Sequence, residues 1–138
     1  MRDFRPILNI LGLLLCIESF ALLIPMVFDL INNNKDWKQF FYISSFTFLI
    51  GSVLYVGFKK EKMKIDLRQA FLLTILSWTL IALFGSLPFI YSSSSLSFTN
   101  AFFESVSGIT TNGATVISKI DNLSEGILVW RSLLQWFG

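Results

Sequence analysis

The stretch "SGITTNGATVIS", from Ser107 to Ser118, decides how this sequence is interpreted. It is rich in hydroxyl-bearing residues and glycine, and the first charge after it is Lys119. It separates a short apolar segment from a further apolar segment. Irregular backbone is tolerated at membrane depth only where it is buried in protein or lines a water-filled path. The stretch therefore predicts a pore-lining loop or, on local composition alone, an ordinary external loop rich in Thr and Gly.

The composition places the chain among membrane proteins. Its 138 residues are 54% hydrophobic and 14% charged, against roughly 25% charged residues in a soluble domain. The net charge of +2 is too small to indicate a nucleic-acid partner. Histidine is absent and Cys16 is the single cysteine, so the sequence offers no metal-ligand spacing and no nucleophile–base set. We expect a membrane protein that is not an enzyme and uses no cofactor.

Three apolar runs are long enough to cross a membrane. They contain about 25, 19 and 22 residues and comprise Ile7–Ile31, Phe40–Phe58 and Ala70–Tyr91. The first run is too long for a signal peptide, and no small-residue cleavage site follows it. The predicted fold class is therefore an all-α transmembrane protein.

A shorter apolar segment, Phe98–Ile109, leads into the opening stretch. Its roughly 12 residues are too few to span a bilayer and are typical of a re-entrant or buried helix. Thr99 is the predicted N-cap of this helix, and Gly108 fits its end. A further apolar helix begins at Ile127 and reaches Gly138 with too few residues to cross, so we expect a chain that is cut within a helix.

The basic residues predict the orientation in the membrane. Seven of them fall on one side of the three predicted spans, namely Arg2, Arg5, Lys59, Lys60, Lys62, Lys64 and Arg68. Four fall on the other side, namely Lys35, Lys38, Lys119 and Arg131. Because cytoplasmic loops carry the excess of Lys and Arg, we expect a cytoplasmic N-terminus and a short helix that enters from outside.

The order of span, short helix, uncharged stretch and further span is the layout of a pore loop. A short helix that points inward directs the partially negative end of its dipole towards the membrane interior, where it stabilises a cation. The stretch after it can present carbonyl oxygens in place of a hydration shell. Gly113 permits a positive φ, so that successive carbonyls can face one side. Asn112 tolerates the same region better than most residues.

The motifs that surround this loop are similar to those of a known family. The block "FTNAFFESVSGITTNGATVI" at residues 98–117, followed by "LLQWFG" at 133–138, resembles the first pore repeat of the membrane subunit in Trk/Ktr-type potassium uptake systems. The resemblance implies an N-terminal pair of transmembrane helices with a cytoplasmic loop at residues 1–66. It also implies a helix–pore loop–helix repeat of the potassium-channel-like type at residues 67–138, truncated in its last helix.

The resemblance further implies four covalent repeats around one pore, each with one selectivity-filter segment. Here the potassium-binding segment is Thr110, Thr111, Asn112 and Gly113, and Asn112 stands where the family more often has Thr. The implied function is K⁺ uptake by symport across the bacterial inner membrane. The implied partners are K⁺, the lipid bilayer, a second copy in a homodimer, and cytosolic nucleotide-binding regulatory subunits.

Two acidic residues allow more than one interpretation. Glu104 could raise the local cation concentration or pair with Arg131 to support the pore loop, and the support role is favoured. Glu18 lies in the middle of a span, where a carboxylate is a functional-site hypothesis by default. A structural or neutral role is favoured for Glu18 because the first span lies outside the pore repeat. A second function class also stays open, a non-transporting membrane-anchored assembly or interaction module.

The predicted orientation can be tested with single cysteines in a Cys16→Ser background. An impermeant thiol reagent applied outside should label Ser94→Cys and should miss Lys62→Cys, because the two loops are expected on opposite sides. Labelling of both positions, or of position 62 alone, would contradict the orientation and the pore-loop interpretation with it.

Overall fold

The computed structural model describes residues 3–59 and 64–138. It contains five α-helices and a 3₁₀ turn, in the order α1 (Arg5–Ile31), α2 (Trp37–Gly57), α3 (Leu67–Tyr91), α4 (Phe98–Ile109), the turn (Ile120–Asn122) and α5 (Glu125–Phe137). Helices α1, α2 and α3 are long and apolar enough to cross a membrane. The all-α transmembrane class is therefore confirmed. Three of the basic residues used for the orientation, Arg2, Lys60 and Lys62, lie outside the described residues.

Polar side chains fix where α3 and α4 begin. At the start of α3, Asp66 Oδ1 accepts from the Leu67 N–H at 2.8 Å, and Gln69 Oε1 accepts from the Asp66 N–H at 3.1 Å. At the start of α4, Ser97 Oγ accepts from the backbone N–H three residues later at 3.4 Å. The predicted cap at Thr99 is wrong, because Ser97 has the extended backbone of an N-cap while Thr99 already lies in the first helical turn.

Helices α1 and α2 approach closely because two glycines meet where they cross. A β-carbon built on Gly51 would lie 2.9 Å from both the Cys16 nitrogen and the Gly12 oxygen. Near the other end of the contact, Asn9 Nδ2 donates to the Tyr55 carbonyl at 2.6 Å. Small residues that let helix backbones approach, joined by a polar side chain, are typical of helix pairs in membranes. The N-terminal helices therefore form a tightly packed pair.

The other face of α1 packs against α3 and α5 and joins this pair to the rest of the structure. Side chains from α1, α2, α3 and α5 form the shared core and are at most 1% exposed, namely Leu22, Phe40, Phe89, Ile127 and Trp130. The Trp130 indole Nε1 donates to the Gly85 carbonyl at 2.9 Å, which satisfies the one polar group of this side chain. The core thus fixes α5 against α3.

The end of α1 also caps the start of α5. Asp29 is completely buried, and its Oδ1 accepts from the Gly126 N–H at 2.7 Å while Ser124 Oγ lies 3.4 Å from its Oδ2. The first amides of a helix lack partners within the helix and form the positive end of its dipole, so a carboxylate is stabilised there. A β-carbon on Gly126 would lie within 3 Å of the Asp29 carboxylate, so any side chain at this position would displace the cap.

The short helix α4 lies against both α3 and α5. A β-carbon on Gly108 of α4 would lie 2.9 Å from the Leu134 β-carbon, so α5 reaches the backbone of α4 at this glycine. The order α3, α4, loop, α5 is the predicted helix–pore loop–helix arrangement. The division of the chain between residues 66 and 67 stays a prediction.

Replacement of Gly51 by alanine should weaken the contact between α1 and α2, because the new methyl group must displace backbone atoms of α1. Overpacking of this kind costs on the order of 1–3 kcal/mol. Gly57→Ala is the matched control in the same helix, since no other element of the described residues comes within 4 Å of a β-carbon at Gly57. Thermal unfolding of the complete gene product in detergent should show a lower midpoint for Gly51→Ala alone. Equal midpoints for the two variants would contradict the close approach.

Candidate functional site

The C-terminus of α4 continues directly into the predicted filter segment. The Thr111 N–H donates to the Gly108 carbonyl at 3.0 Å, and the Asn112 N–H donates to the Ser107 carbonyl at 3.1 Å. These two bonds form a Schellman motif, whose left-handed position is held by Thr111 at φ 58°. The helix therefore runs one residue past Gly108, and the positive φ expected to suit Asn112 falls on Thr111 instead. A β-branched residue in this region is strained by about 1–2 kcal/mol.

The backbone of the filter segment alternates in handedness. Thr111 and Gly113 have positive φ, 58° and 76°, whereas Thr110 and Asn112 do not. The N–H groups of all four residues donate to carbonyls in the last turns of α4, at 2.9–3.4 Å. In a planar trans peptide, a carbonyl points away from the N–H of the next residue. The carbonyls of Thr110, Thr111 and Asn112 therefore point away from α4.

These carbonyl oxygens are left without protein partners. In the part of the chain that the structure describes, no hydrogen-bond donor reaches the carbonyl of any of the four filter residues. All four residues are exposed. Thr110 lies beside the middle of α3, in a cleft of about 190 Å³ lined also by Trp78, Thr79, Ala82, Phe102, Val106 and Ile109. The segment thus offers a row of free oxygens level with the centre of a spanning helix.

Glu104 holds the chain that leaves the filter segment. This residue of α4 is 2% exposed, and its Oε1 accepts from the Val116 N–H at 2.6 Å and from Thr115 Oγ1 at 2.5 Å. Its Oε2 accepts from Arg131 Nε of α5 at 3.2 Å. The structure therefore brings Glu104 and Arg131 together, as the sequence analysis favoured. Because both carboxylate oxygens are engaged, the geometry favours support of the loop over attraction of cations.

Two hydroxyl groups in the site were not identified from the sequence. Ser107 Oγ donates to the Ala114 carbonyl at 2.6 Å and closes the loop at its base. Thr115 adds its hydroxyl to the Glu104 carboxylate. Serine and threonine side chains often bond to nearby backbone, and their density in an apolar chain was the available signal. Which oxygen each one meets depends on the return of the chain along α4.

The oxygen atoms that the site leaves without donors are neutral. Among residues 3–59 and 64–138, no group of three His, Cys, Asp or Glu side chains is placed to hold a metal ion. The free ligands are backbone carbonyls, which can replace the hydration shell of an alkali cation. The fold and the site together define a class, the all-helical membrane protein with an oxygen-lined loop between two packed helices.

Known proteins with this arrangement match the chain over nearly its whole length. The family model for TrkH, described as a cation transport protein, matches residues 37–138. The chain is 42% identical over 136 residues to the Trk system potassium uptake protein TrkH of Escherichia coli strain K12, covering 98% of this chain and 28% of that protein. It is 33% identical to the Trk system potassium uptake protein TrkI of Halomonas elongata, covering 100% of this chain and 28% of that protein.

A solved structure agrees with the fold. The crystal structure of the potassium transporter TrkH from Vibrio parahaemolyticus superposes with a TM-score of 0.92 at 36% identity, covering 99% of this chain and 29% of that chain. The chain belongs to the TrkH family of cation transport proteins. It spans about 28% of the length of the relatives that it matches. The resemblance drawn from the pore-loop motifs is confirmed.

Truncation of either Glu104 or Arg131 should destabilise the site. Glu104→Ala removes the acceptor of three donors, and loss of one partner from a buried charged pair costs roughly 3–5 kcal/mol. Arg131→Ala leaves the buried Glu104 carboxylate with two donors and no counter-charge, whereas in Glu104→Ala the Arg131 side chain, which is 19% exposed, keeps partial access to water. Thermal unfolding of the complete gene product measures both effects.

The charge swap Glu104→Arg with Arg131→Glu tests whether Glu104 acts as a hydrogen-bond acceptor for the loop or only as the partner of Arg131 in an ion pair. Arginine has no acceptor, so the swapped protein should stay destabilised although the opposite charges are restored. Recovery of the wild-type midpoint would show that the ion pair alone accounts for the role of Glu104.

Proposed function

We propose that the protein containing this chain takes up K⁺ across a membrane, and that this chain supplies one of four selectivity-filter segments. The observation that carries the proposal is the row of unpartnered carbonyls on Thr110, Thr111 and Asn112, whose amides are all used by α4. Carbonyl oxygens arranged in this way replace water around a K⁺ ion. The names of the relatives, Trk system potassium uptake proteins, support the same ion.

The electrostatics of the site suit a singly charged ion that must also be released. Residues 107–118 contain no carboxylate, so a passing cation meets neutral dipoles only. The C-terminal end of α4 adds the partially negative end of a helix dipole behind the filter segment. Binding of this kind is weak enough to allow K⁺ to leave, which conduction requires.

The proposed roles of the site residues follow from their atoms. Thr110, Thr111, Asn112 and Gly113 bind K⁺ through backbone oxygens, so the Asn112 side chain need not contact the ion. Glu104 and Arg131 hold the returning chain and α5 in place behind it. A non-transporting assembly module would have no need for a row of unpaired carbonyls, and this alternative is not favoured.

We place the protein in the bacterial inner membrane with its N-terminus in the cytoplasm. The ends of the helices support this orientation, since Gln69 Nε2 at the start of α3 donates to the Asp3 carbonyl at 2.7 Å. The basic residues Arg5, Lys64 and Arg68 therefore belong to one end of the bundle, which the excess of positive charge assigns to the cytoplasm. A homodimer and cytosolic nucleotide-binding regulatory subunits are proposed on the family resemblance.

Gly113→Ser in the complete gene product should weaken the preference for K⁺ over Na⁺. The nearest atom to a β-carbon at Gly113 is Gln135 Nε2 at 3.9 Å, so serine fits without a collision. Its effect comes from φ 76°, which costs a residue with a side chain about 1–2 kcal/mol and rotates the adjoining carbonyls. Expression should change little.

Asn112→Thr is the matched control, because it changes a neighbouring side chain and leaves the backbone free to keep its conformation. Uptake of K⁺ and Na⁺ should be measured for both variants at equal abundance in the membrane. If Gly113→Ser retains wild-type selectivity and affinity, residues 110–113 are a loop without a filter role.

A further inference from the structure

The buried face of α1 carries two acidic residues that differ in their surroundings. Asp29 accepts hydrogen bonds from the Gly126 N–H at 2.7 Å and from Asn34 Nδ2 at 3.2 Å. Glu18, three turns earlier on the same face, is 3% exposed, and both of its carboxylate oxygens lack a hydrogen-bond partner among the described residues. The two acids share one helix and one face, so the contrast arises from what lies opposite each of them.

Opposite Glu18, on α4, lies a second polar group without a hydrogen-bond partner. Ser105 of α4 is completely buried, and its Oγ has no partner among the described residues. The two groups converge on Gly85 of α3, because a β-carbon there would lie 2.8 Å from Ser105 Oγ and 3.3 Å from Glu18 Oε1. The absence of a side chain at Gly85 therefore lets an acid of the N-terminal pair approach a hydroxyl of the pore helix.

The remaining surroundings of Glu18 are apolar. It lines a cleft of about 170 Å³ whose other residues are Leu14, Ile17, Ile81 and Phe137. No ion pair to Glu18 is found within residues 3–59 and 64–138, and Arg131 on the adjoining α5 is already paired with Glu104. The other titratable residues on the helices packed around Glu18 are Arg5, Cys16 and Asp29 of α1, Lys38, Tyr42 and Tyr55 of α2, Arg68 and Tyr91 of α3, and Glu125 of α5.

A charged carboxylate in this position would be costly. Burial of an ion without a partner costs several kcal/mol even after the protein relaxes, and a buried acid avoids this cost by taking up a proton. A neutral carboxylic acid both donates and accepts hydrogen bonds, as does a serine hydroxyl. Glu18 and Ser105 can therefore satisfy one another, directly after a small side-chain rotation or through one bridging water molecule.

We propose that Glu18 is a proton-binding site, and that the neutral acid shares a hydrogen-bonded site with Ser105 on the pore helix. The proton comes from solvent and is retained in the packed structure. Loss of the proton would leave a charge against the apolar cleft and against Gly85. The bound proton therefore stabilises the packing of Glu18 against Gly85 and Ser105, and this contribution to folding is lost progressively as the pH rises.

Infrared difference spectroscopy on the complete gene product in lipid tests the protonation state directly. At neutral pH the wild type minus Glu18→Gln difference should contain the carbonyl stretch of a protonated carboxylic acid, and this band should shift in D₂O. Asp29→Asn is the matched control, because Asp29 has its own donors and its replacement should leave the band unchanged. A difference spectrum with carboxylate bands and no acid band would overturn the proposal.

Ser105→Ala tests the partner and remains informative if Glu18→Gln folds poorly. It removes the proposed hydrogen bond and leaves the acid, so the carbonyl band should move to higher frequency and remain. An unchanged band would show that Glu18 and Ser105 do not share a site. The spectroscopic result does not depend on the proposed transport function.

Thermal unfolding at a series of pH values tests the consequence for stability. The midpoint of the wild type should fall as the pH rises above about 4.3, the pKa of a free glutamate, because the unfolded chain then releases the proton that the folded chain retains. Glu18→Gln should lose this part of the fall because glutamine cannot ionise. If Glu18 had only a structural role, Glu18→Gln would change the unfolding midpoint by the same amount at every pH. Parallel profiles for wild type and Glu18→Gln would contradict the proton site.

Discussion

A backbone segment at the depth of the hydrocarbon core persists only if its amide groups find partners inside the protein. In this structure the last turns of α4 supply those partners to residues 110–113, through the carbonyls that a helix end leaves free. The pairing is one-sided, because all four amides have acceptors in α4 and no donor among the described residues reaches a carbonyl of the segment. The end of α4 therefore supplies acceptors for the amides of residues 110–113 and turns their carbonyls outward as an oxygen-lined surface. Farther along the chain, the Glu104 carboxylate accepts a hydrogen bond from the Val116 N–H.

This arrangement needs a rigid support, because α4 has only 12 residues. Leu134 of α5 is completely buried and would touch β-carbons on both Gly85 and Gly108, so α3, α4 and α5 meet around one side chain. Helix α1 packs against these three helices through its buried residues Leu22, Glu18 and Asp29. Helices α1 and α2 are therefore part of the packing that positions the filter segment, although no residue of these two helices belongs to that segment.

The sequence predicted the features that depend on local patterns. Hydropathy and length gave three spans and the 12-residue helix, because crossing a bilayer imposes a minimum apolar run. Gly113 was identified because only glycine adopts positive φ freely. The same reasoning placed the second left-handed residue at Asn112 instead of Thr111, because the hydrogen bonds at the end of α4 decide which residue takes that conformation. The contacts of Asp29 and Ser107 were missed because their partners are set by the fold.

The joint between Asp29 and Gly126 connects positions 97 residues apart in the chain. The contact between α1 and α2 closes across a short turn and can form as soon as both helices exist, whereas the cap on α5 must wait for nearly all of this chain to be synthesised. Chains fold from the N-terminus during synthesis, and distant contacts close late. The buried carboxylate at the end of α1 is therefore synthesised long before the α5 amide that it accepts from. The structure favours an order of assembly in which α1 and α2 pack first and α3, α4 and α5 pack against them afterwards.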